Sequence, residues 1–260
     1  MIDRCRKIRA DILAISHKSG HGHIPTCFSV VEALVAVYST IRHDPLRPDW
    51  PERDLFVLSK GHAALGHYCT LAEFGYFDVA EVERFGGFDS RFGCHGDRLK
   101  VPGIEVSTGS LGHGIGVAVG MALAEKIKGS GRRVVTLVGD GESNEGSVWE
   151  ATMVATDRGL DNLTIIYDHN QSQRRCLQIP NPGERFAAFG CAVSEENGHD
   201  VAALSETFKT RHAKPHAVIA HTVKGYGCKT LVDEVFAWHR RSPDADTLAR
   251  LMEELDARAV

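Results

Sequence analysis

Two turns carry the residues of this chain best suited to chemistry. The apolar run Val134-Val135-Thr136-Leu137-Val138 ends in Gly139-Asp140-Gly141, and a second apolar run ends in Asp168-His169-Asn170. A carboxylate and an amide, each just past a strand, can hold one Mg²⁺ that carries a diphosphate. The ion asks for near-octahedral oxygen geometry and takes much of its shell from phosphate and water. Asp140 offers a carboxylate oxygen, Asn170 an amide oxygen, and a carbonyl just beyond it, that of Ser172, a third. Gly141 leaves room for a phosphate to approach the backbone where the next helix starts. A lone Gly-Asp-Gly is also a common turn. Here the strand before it, the acidic helix start with Glu142 and Glu145, and the second strand leading to Asn170 favour the ligand reading.

Histidine is the second signal, with fourteen in 260 residues. His21, His23, His62, His95, His113 and His239 are the candidates, several of them beside glycines in loops. Any one can be a hydrogen-bonded structural residue, since titration near neutrality does not make a histidine catalytic. A metal site built from His21, His23, Cys94 and His95 would compete, but the two-pair spacing typical of zinc is missing.

These residues need a scaffold that brings distant turns to one edge. Short apolar strands at Asp54–Leu58, 133–138, 162–167, 191–194 and 216–221 alternate with helices near 61–75, 78–85, 112–128, 145–158 and 200–212. Helices at 2–18 and 28–42 precede them, and a glycine-rich loop runs from Gly86 to Gly109. The helix from Gly112 opens Gly-His-Gly-Ile-Gly, which costs helix propensity and predicts close backbone approach at its start. Alternation of this kind predicts an α/β fold whose mainly parallel sheet has helices on both faces. Residues 1–260 read as one domain, with a helical tail at about 242–257 that starts after Ser242-Pro243 and is capped by Asp244 or Asp246.

Composition narrows the class. With 43% apolar and 25% charged residues the chain can bury one sizeable core or two small ones. A net charge of -4 with mixed signs gives no basic face for nucleic acid, and no apolar run reaches the length of a membrane span. Met1-Ile2-Asp3-Arg4-Cys5-Arg6 lacks an apolar signal core, and seven cysteines without paired spacing suit a reducing cytoplasm.

The run Gly139-Asp140-Gly141-Glu142-Ser143-Asn144-Glu145-Gly146-Ser147-Val148-Trp149-Glu150-Ala151, followed by Asp161-Asn162-Leu163 and Asn170, resembles the thiamine-diphosphate motif of transketolases. The likeness continues through Gly22-His23-Ile24, Leu58-Ser59-Lys60-Gly61-His62, Ser107-Thr108-Gly109-Ser110-Leu111-Gly112, Lys224-Gly225-Tyr226-Gly227 and Trp238-His239. What the chain resembles is the N-terminal half, as found in transketolases split into two subunits. The resemblance implies the diphosphate-binding (PP-type) domain of the thiamine-diphosphate fold, with Mg²⁺ as the metal and Ca²⁺ or Mn²⁺ as substitutes. It implies that Asp140, Asn170 and the Ser172 carbonyl hold the metal, with Gly139, Gly141 and Asn170 beside the cofactor. Gly109 would place a carbonyl near the aminopyrimidine, and Leu111 would pack beside that ring or belong to ordinary core. Glu145 would lie at the subunit interface or simply begin a helix. Lys60 is either a solvated loop charge or a charge at the mouth of the site.

The resemblance also assigns the histidines. His23, His62 and His239 would line the channel near the diphosphate and thiazolium, and His95 would contact the donor sugar. The implied reaction moves a two-carbon ketol unit from a ketose or ketose phosphate to an aldose. Imidazoles would donate to the developing alkoxide and remove hydroxyl protons, steps worth on the order of 10² to 10⁴ each when positioned. The glutamate that activates the aminopyrimidine would come from a separate pyrimidine-binding subunit of roughly 300 residues, in an α₂β₂ assembly. Two other classes stay open: half of a 2-oxo acid decarboxylating or 1-deoxyxylulose-phosphate synthase-like enzyme, and a non-catalytic scaffold for another transketolase.

The departures are specific. Cys94-His95-Gly96-Asp97 stands where the family usually has Gly-His-Pro before an acid. Leu111-Gly112-His113-Gly114 replaces Leu-Gly-Gln-Gly, putting the His113 imidazole near the expected cofactor pocket. After Asn170 the usual Asp-Gly turn gives way to a shortened Gln173-Arg174-Arg175-Cys176, which implies an unusual acceptor selected by Arg174 and Arg175.

Overall fold

The computed structural model describes residues 1–175 and 177–257. Among these, five strands form one parallel sheet: β1 (Leu55–Leu58), β2 (Val134–Gly139), β3 (Leu163–His169), β4 (Ala192–Asn197) and β5 (His216–His221), in the order β1-β2-β3-β5-β4. The central strands are mostly apolar and almost wholly buried, as strands covered on both faces must be. Its alternate residues serve two cores. Phe56, Leu58, Val135, Leu137, Ile166, Val218 and Ala220 face one layer, and Leu55, Val57, Val134, Val138, Ile165, Ala217 and Ile219 face the other.

The first layer contains α1 (Ile2–Ser19), α2 (Ile24–Ser29), α3 (Val31–Thr40) and α4 (Ala64–Glu73). A short turn, α5 (Val79–Val82), is fixed by a capping box between Asp78 and Glu81. The second layer is α6 (Gly114–Lys128), α7 (Gly146–Asp157) and α8 (Pro182–Ala188), packed through Ile115, Ala118, Val148, Ala151 and Phe186. α9 (Val201–Lys209) and α11 (Ala245–Ala257) add Leu204 and Leu251 to the first core, and α10 (Lys229–Asp233) sits between them in sequence. The backbone N–H of Thr247 bonds to Asp244 Oδ1, so Asp244 rather than Asp246 caps the tail helix.

Four elements differ most from the sequence expectation, each for a physical reason. The helix expected over 28–42 is two helices broken at Val30, and the Ser29 hydroxyl at the break is shared between the Thr26 carbonyl of its own helix and the Asp168 carboxylate. β4 extends to Asn197 because it is the edge strand, where Glu195 and Glu196 can face water. α8 and α10 are short helices whose apolar periodicity is too brief to register in sequence. None of the described helices is long and apolar enough to cross a membrane.

Candidate active site

The C-terminal ends of the strands meet at one edge of the sheet, the side on which open α/β sheets bind ligands. Gly139 pairs with Asp168 in register, so Asp140 and Asn170 emerge side by side from β2 and β3. Asp140 is buried at 1% exposure. Its Oδ2 accepts from the Ser172 N–H at 2.9 Å, and Asn170 Oδ1 accepts from the same N–H at 3.0 Å. The Ser172 hydroxyl donates to Asp140 Oδ1 at 2.5 Å, and the Gly141 N–H donates to that oxygen at 2.6 Å. Carboxylate and amide oxygens thus lie side by side, both accepting from the one N–H of Ser172. Burial, more than the neighbouring charge of Asp168, holds the Asp140 carboxyl above its ordinary range.

Beneath these ligand candidates lies a polar floor. Asp168 accepts from Lys60 Nζ at 2.5 Å, Ser29 Oγ at 2.9 Å and Asn170 Nδ2 at 2.8 Å, all at Oδ2, while Thr222 donates to Oδ1. Lys60 is therefore neither a solvated loop charge nor a charge at the mouth of the site; it is an almost fully buried ion-pair partner. Glu142, also buried, accepts from Ser59 Oγ, Gly112 N and Gly139 N at 2.6, 3.0 and 3.0 Å. One carboxylate thereby ties the turn after β1, the loop before α6 and the end of β2 into one unit.

His23, His62 and His239 come together above this floor. The His23 ring meets His62 and His239 edge-on, with centroids 5.5 and 5.4 Å away. Burial pushes His23 down to about 4, with the charge of His239 next in weight and His95 among the others. Burial, then the charge of Lys60, takes His62 down to about 2, and burial also lowers His239. These shifts hold His23 and His62 in the neutral form at pH 7 and move His239 the same way. Lys224 Nζ lies 3.3 Å from His239 Nδ1, and burial lowers this lysine to about 8. His95 is exposed at the rim, its ring laid against the backbone of Gly109, where an added Cβ would come within 2.8 Å of Cδ2.

The remaining candidates are placed as follows. Leu111 is half-buried. His113 is exposed just before α6, and its Nδ1 bonds within its own turn to Ser110 Oγ and the Leu111 carbonyl. The close approach predicted for the α6 start is real at Gly114, where a Cβ would lie 2.6 Å from Ser59 Cα, whereas Gly116 faces open space. Glu145 is exposed at the N-cap of α7 and makes no side-chain cap bond. Arg174 and Arg175 both lie over the Phe236 ring, 5.1 and 4.0 Å from its centroid; Cys176 lies outside the described residues. A cleft of about 440 Å³ lined by Asn170, Ser172, Arg174, Thr222, Lys224 and Phe236 opens here.

The donor chemistry fits a hard divalent cation: one carboxylate, one amide oxygen and an adjacent serine, with no three His, Cys, Asp or Glu side chains grouped as a metal cluster among the described residues. Sequence reasoning gave no role to Asp168, Ser29, Thr222, Glu142 or Lys224 as parts of the site. Asp168 carried a signal, an acid closing an otherwise apolar strand; Ser29 carried none.

The family model for the thiamine diphosphate binding domain of transketolase matches residues 1–255. The chain is 38% identical to one subunit of the apulose-4-phosphate transketolase of Actinobacillus succinogenes, over 97% of this chain and 94% of that protein. It is 38% identical to the 6-deoxy-6-sulfo-D-fructose transketolase subunit of Clostridium sp. (strain MSTE9), over 81% of this chain and 80% of that one. Its fold matches the transketolase of Pichia stipitis solved with sedoheptulose-7-phosphate at a TM-score of 0.87 and 27% identity, covering 98% of this chain and 40% of that chain.

Proposed function

Because this chain belongs to the transketolase family, as its thiamine-diphosphate-binding domain, we propose that it is the diphosphate-holding subunit of a two-subunit transketolase working in the cytoplasm. It acts as a single domain that moves a two-carbon ketol unit from a ketose, free or phosphorylated, to an aldose. The observation that carries this reading is that Asp140 Oδ2 and Asn170 Oδ1 lie together, sharing the Ser172 N–H, beside a cleft that Lys224 connects to His23, His62 and His239.

In this reading Asp140, Asn170 and the Ser172 carbonyl hold Mg²⁺, and Gly139 and Gly141 leave space for the phosphates it carries. Thiamine diphosphate, when bound, supplies the electron sink for C–C cleavage next to a carbonyl. Neutral His23 and His62 offer an N–H to oxygen that gains negative charge and a lone pair to a hydroxyl proton, a pairing that an imidazolium lacks. His239 keeps its Nδ1 toward Lys224, which leaves Nε2 for substrate. His95, at the rim, orients the donor's hydroxyls. Gly109, Leu111 and His113 border the aminopyrimidine.

A separate pyrimidine-binding subunit completes the site in an α₂β₂ assembly, in keeping with relatives named as subunits, and exposed Glu145 faces it. Arg174, in the cleft, suits an anionic sugar. The test is co-expression with that partner, followed by a donor and acceptor screen with thiamine diphosphate and Mg²⁺. Each chain alone should be inactive and the mixture active. Full ketol transfer by this chain alone overturns the split assignment, and decarboxylation of a 2-oxo acid instead of ketol transfer replaces the reaction.

A further inference from the structure

We infer that Asp168 is a positioning residue for the metal site: its carboxylate decides which way round the Asn170 amide sits. The inference rests on the assignment of Asn170 as a ligand. An asparagine amide has an oxygen end and a nitrogen end of nearly equal shape, and its terminal torsion is broad and two-fold. Only the oxygen end can meet a cation, so half of the orientations open to a free amide would present N–H to the metal.

The surroundings remove that freedom. Asn170 Nδ2 donates to Asp168 Oδ2 at 2.8 Å and to Ser29 Oγ at 3.1 Å. An ionised carboxylate only accepts. Turning the amide over would set oxygen against oxygen in a site where Asp168 and Asn170 are both buried. The surviving orientation turns Oδ1 to the side of Asp140 Oδ2, where both oxygens accept from the Ser172 N–H. Lys60, itself with nothing but donors, supplies the opposite charge that a buried carboxylate requires. The arrangement draws on the ends of β1, α2, β3 and β5, so the amide is held by the fold rather than by its own loop.

The test measures Mn²⁺ affinity, from the electron paramagnetic resonance of the free ion, on the full chain co-purified with its partner in excess thiamine diphosphate. Asp168→Asn can turn an N–H toward residue 170 and so frees the amide; affinity should fall about 10- to 100-fold, the usual cost of losing a partner that orients a ligand. Where that variant fails to fold for want of a counter-charge to Lys60, the neutral pair K60M/D168N replaces it and should show the same loss. The double variant D168N/N170D should return affinity to within about threefold of wild type, because a carboxylate ligand has no wrong way round. A purely structural role for Asp168 would lower the unfolding temperature of the metal-free protein and would not be rescued by N170D. Wild-type affinity in D168N or K60M/D168N, or failure of N170D to rescue, overturns the inference while leaving the ligand assignment standing. Wild-type affinity in Asn170→Ala overturns the ligand assignment and the inference with it.

Discussion

The Lys224 ammonium stands 3.3 Å from Nδ1 of His239. A lysine has only protons to give, so this ring nitrogen accepts, and the imidazole keeps its single proton on Nε2. After burial, the Lys224 charge is the largest influence lowering His239. In Lys224→Met the His239 pKa should rise toward its ordinary value, as read by NMR of labelled histidine. Burial, then Lys60, pushes Lys224 itself down to about 8, so its charge fades as pH rises through that value. Affinity for thiamine diphosphate should weaken over the same range in the wild type and not in the variant.

Asp140→Asn should abolish the thermal stabilisation that thiamine diphosphate and Mg²⁺ give. A ligand present at a hundred times its dissociation constant contributes about 2.7 kcal/mol to the folded state. An equal melting shift in wild type and variant, by differential scanning fluorimetry, would remove Asp140 from the ligand set.

The neutral histidines also make stability depend on pH. His62 falls from an ordinary 6.5 to about 2 in the folded protein, mainly through burial. Below 6.5 the unfolded chain takes up a proton that the folded chain refuses. Stability is therefore complete above that value and drains as pH falls toward the folded pKa. One such group contributes a slope of at most about 1.4 kcal/mol per pH unit. His62→Gln should flatten the acid side of the unfolding free energy measured in urea; an unchanged slope would place the imidazole in contact with water.

The scaffold was largely legible in the sequence and the floor of the site was not. Apolar runs announced β1, β2, β3 and β5 and only the start of β4, whose Glu195 and Glu196 belong to an edge strand that need not be apolar. Asp140, Asn170, His23, His62 and His239 were legible as motif residues, and the structure brings Asp140 beside Asn170 and the three histidines together. Ser29 and Thr222 were not, since a hydroxyl that caps, turns or packs looks the same in sequence as one that reaches a distant carboxylate. Lys60 was ambiguous for a related reason: burial of a lysine is set by where its partner lies, and that partner is 108 residues away.

Two left-handed glycines separate backbone freedom from close packing. Gly112 has φ +79°, and a Cβ there would lie 2.7 Å from Glu145 Cβ; Gly20 has φ +67° with nothing within 4 Å. Gly20→Ala should cost on the order of 1 kcal/mol of stability, and Gly112→Ala about 2–4 kcal/mol. Similar losses for both, by chemical denaturation, would mean that the α7 start yields easily.

Alanine at both Arg174 and Arg175 removes the charge of Arg174 from the cleft lining, the charge of Arg175, and the contacts of both with the Phe236 ring. KM for a phosphorylated acceptor should rise roughly tenfold or more, a loss of about 1.4 kcal/mol, while an uncharged acceptor is little affected. Unchanged kinetics for every acceptor would dismiss the arginines as selectors.

The meeting at Asp168 has a consequence for how the chain folds. Ser29 lies 139 residues from it, Lys60 108 and Thr222 54. Parallel strands are joined only through long crossovers, and pairings of such high sequence separation form late. Only the bond from Asn170 to Asp168 is local; the other three donors reach that carboxylate from distant parts of the chain. Cofactor capture should therefore report on completed folding: a chain trapped before β5 joins β3 would hold helices and several strands, yet remain unable to keep the ligand that stabilises it.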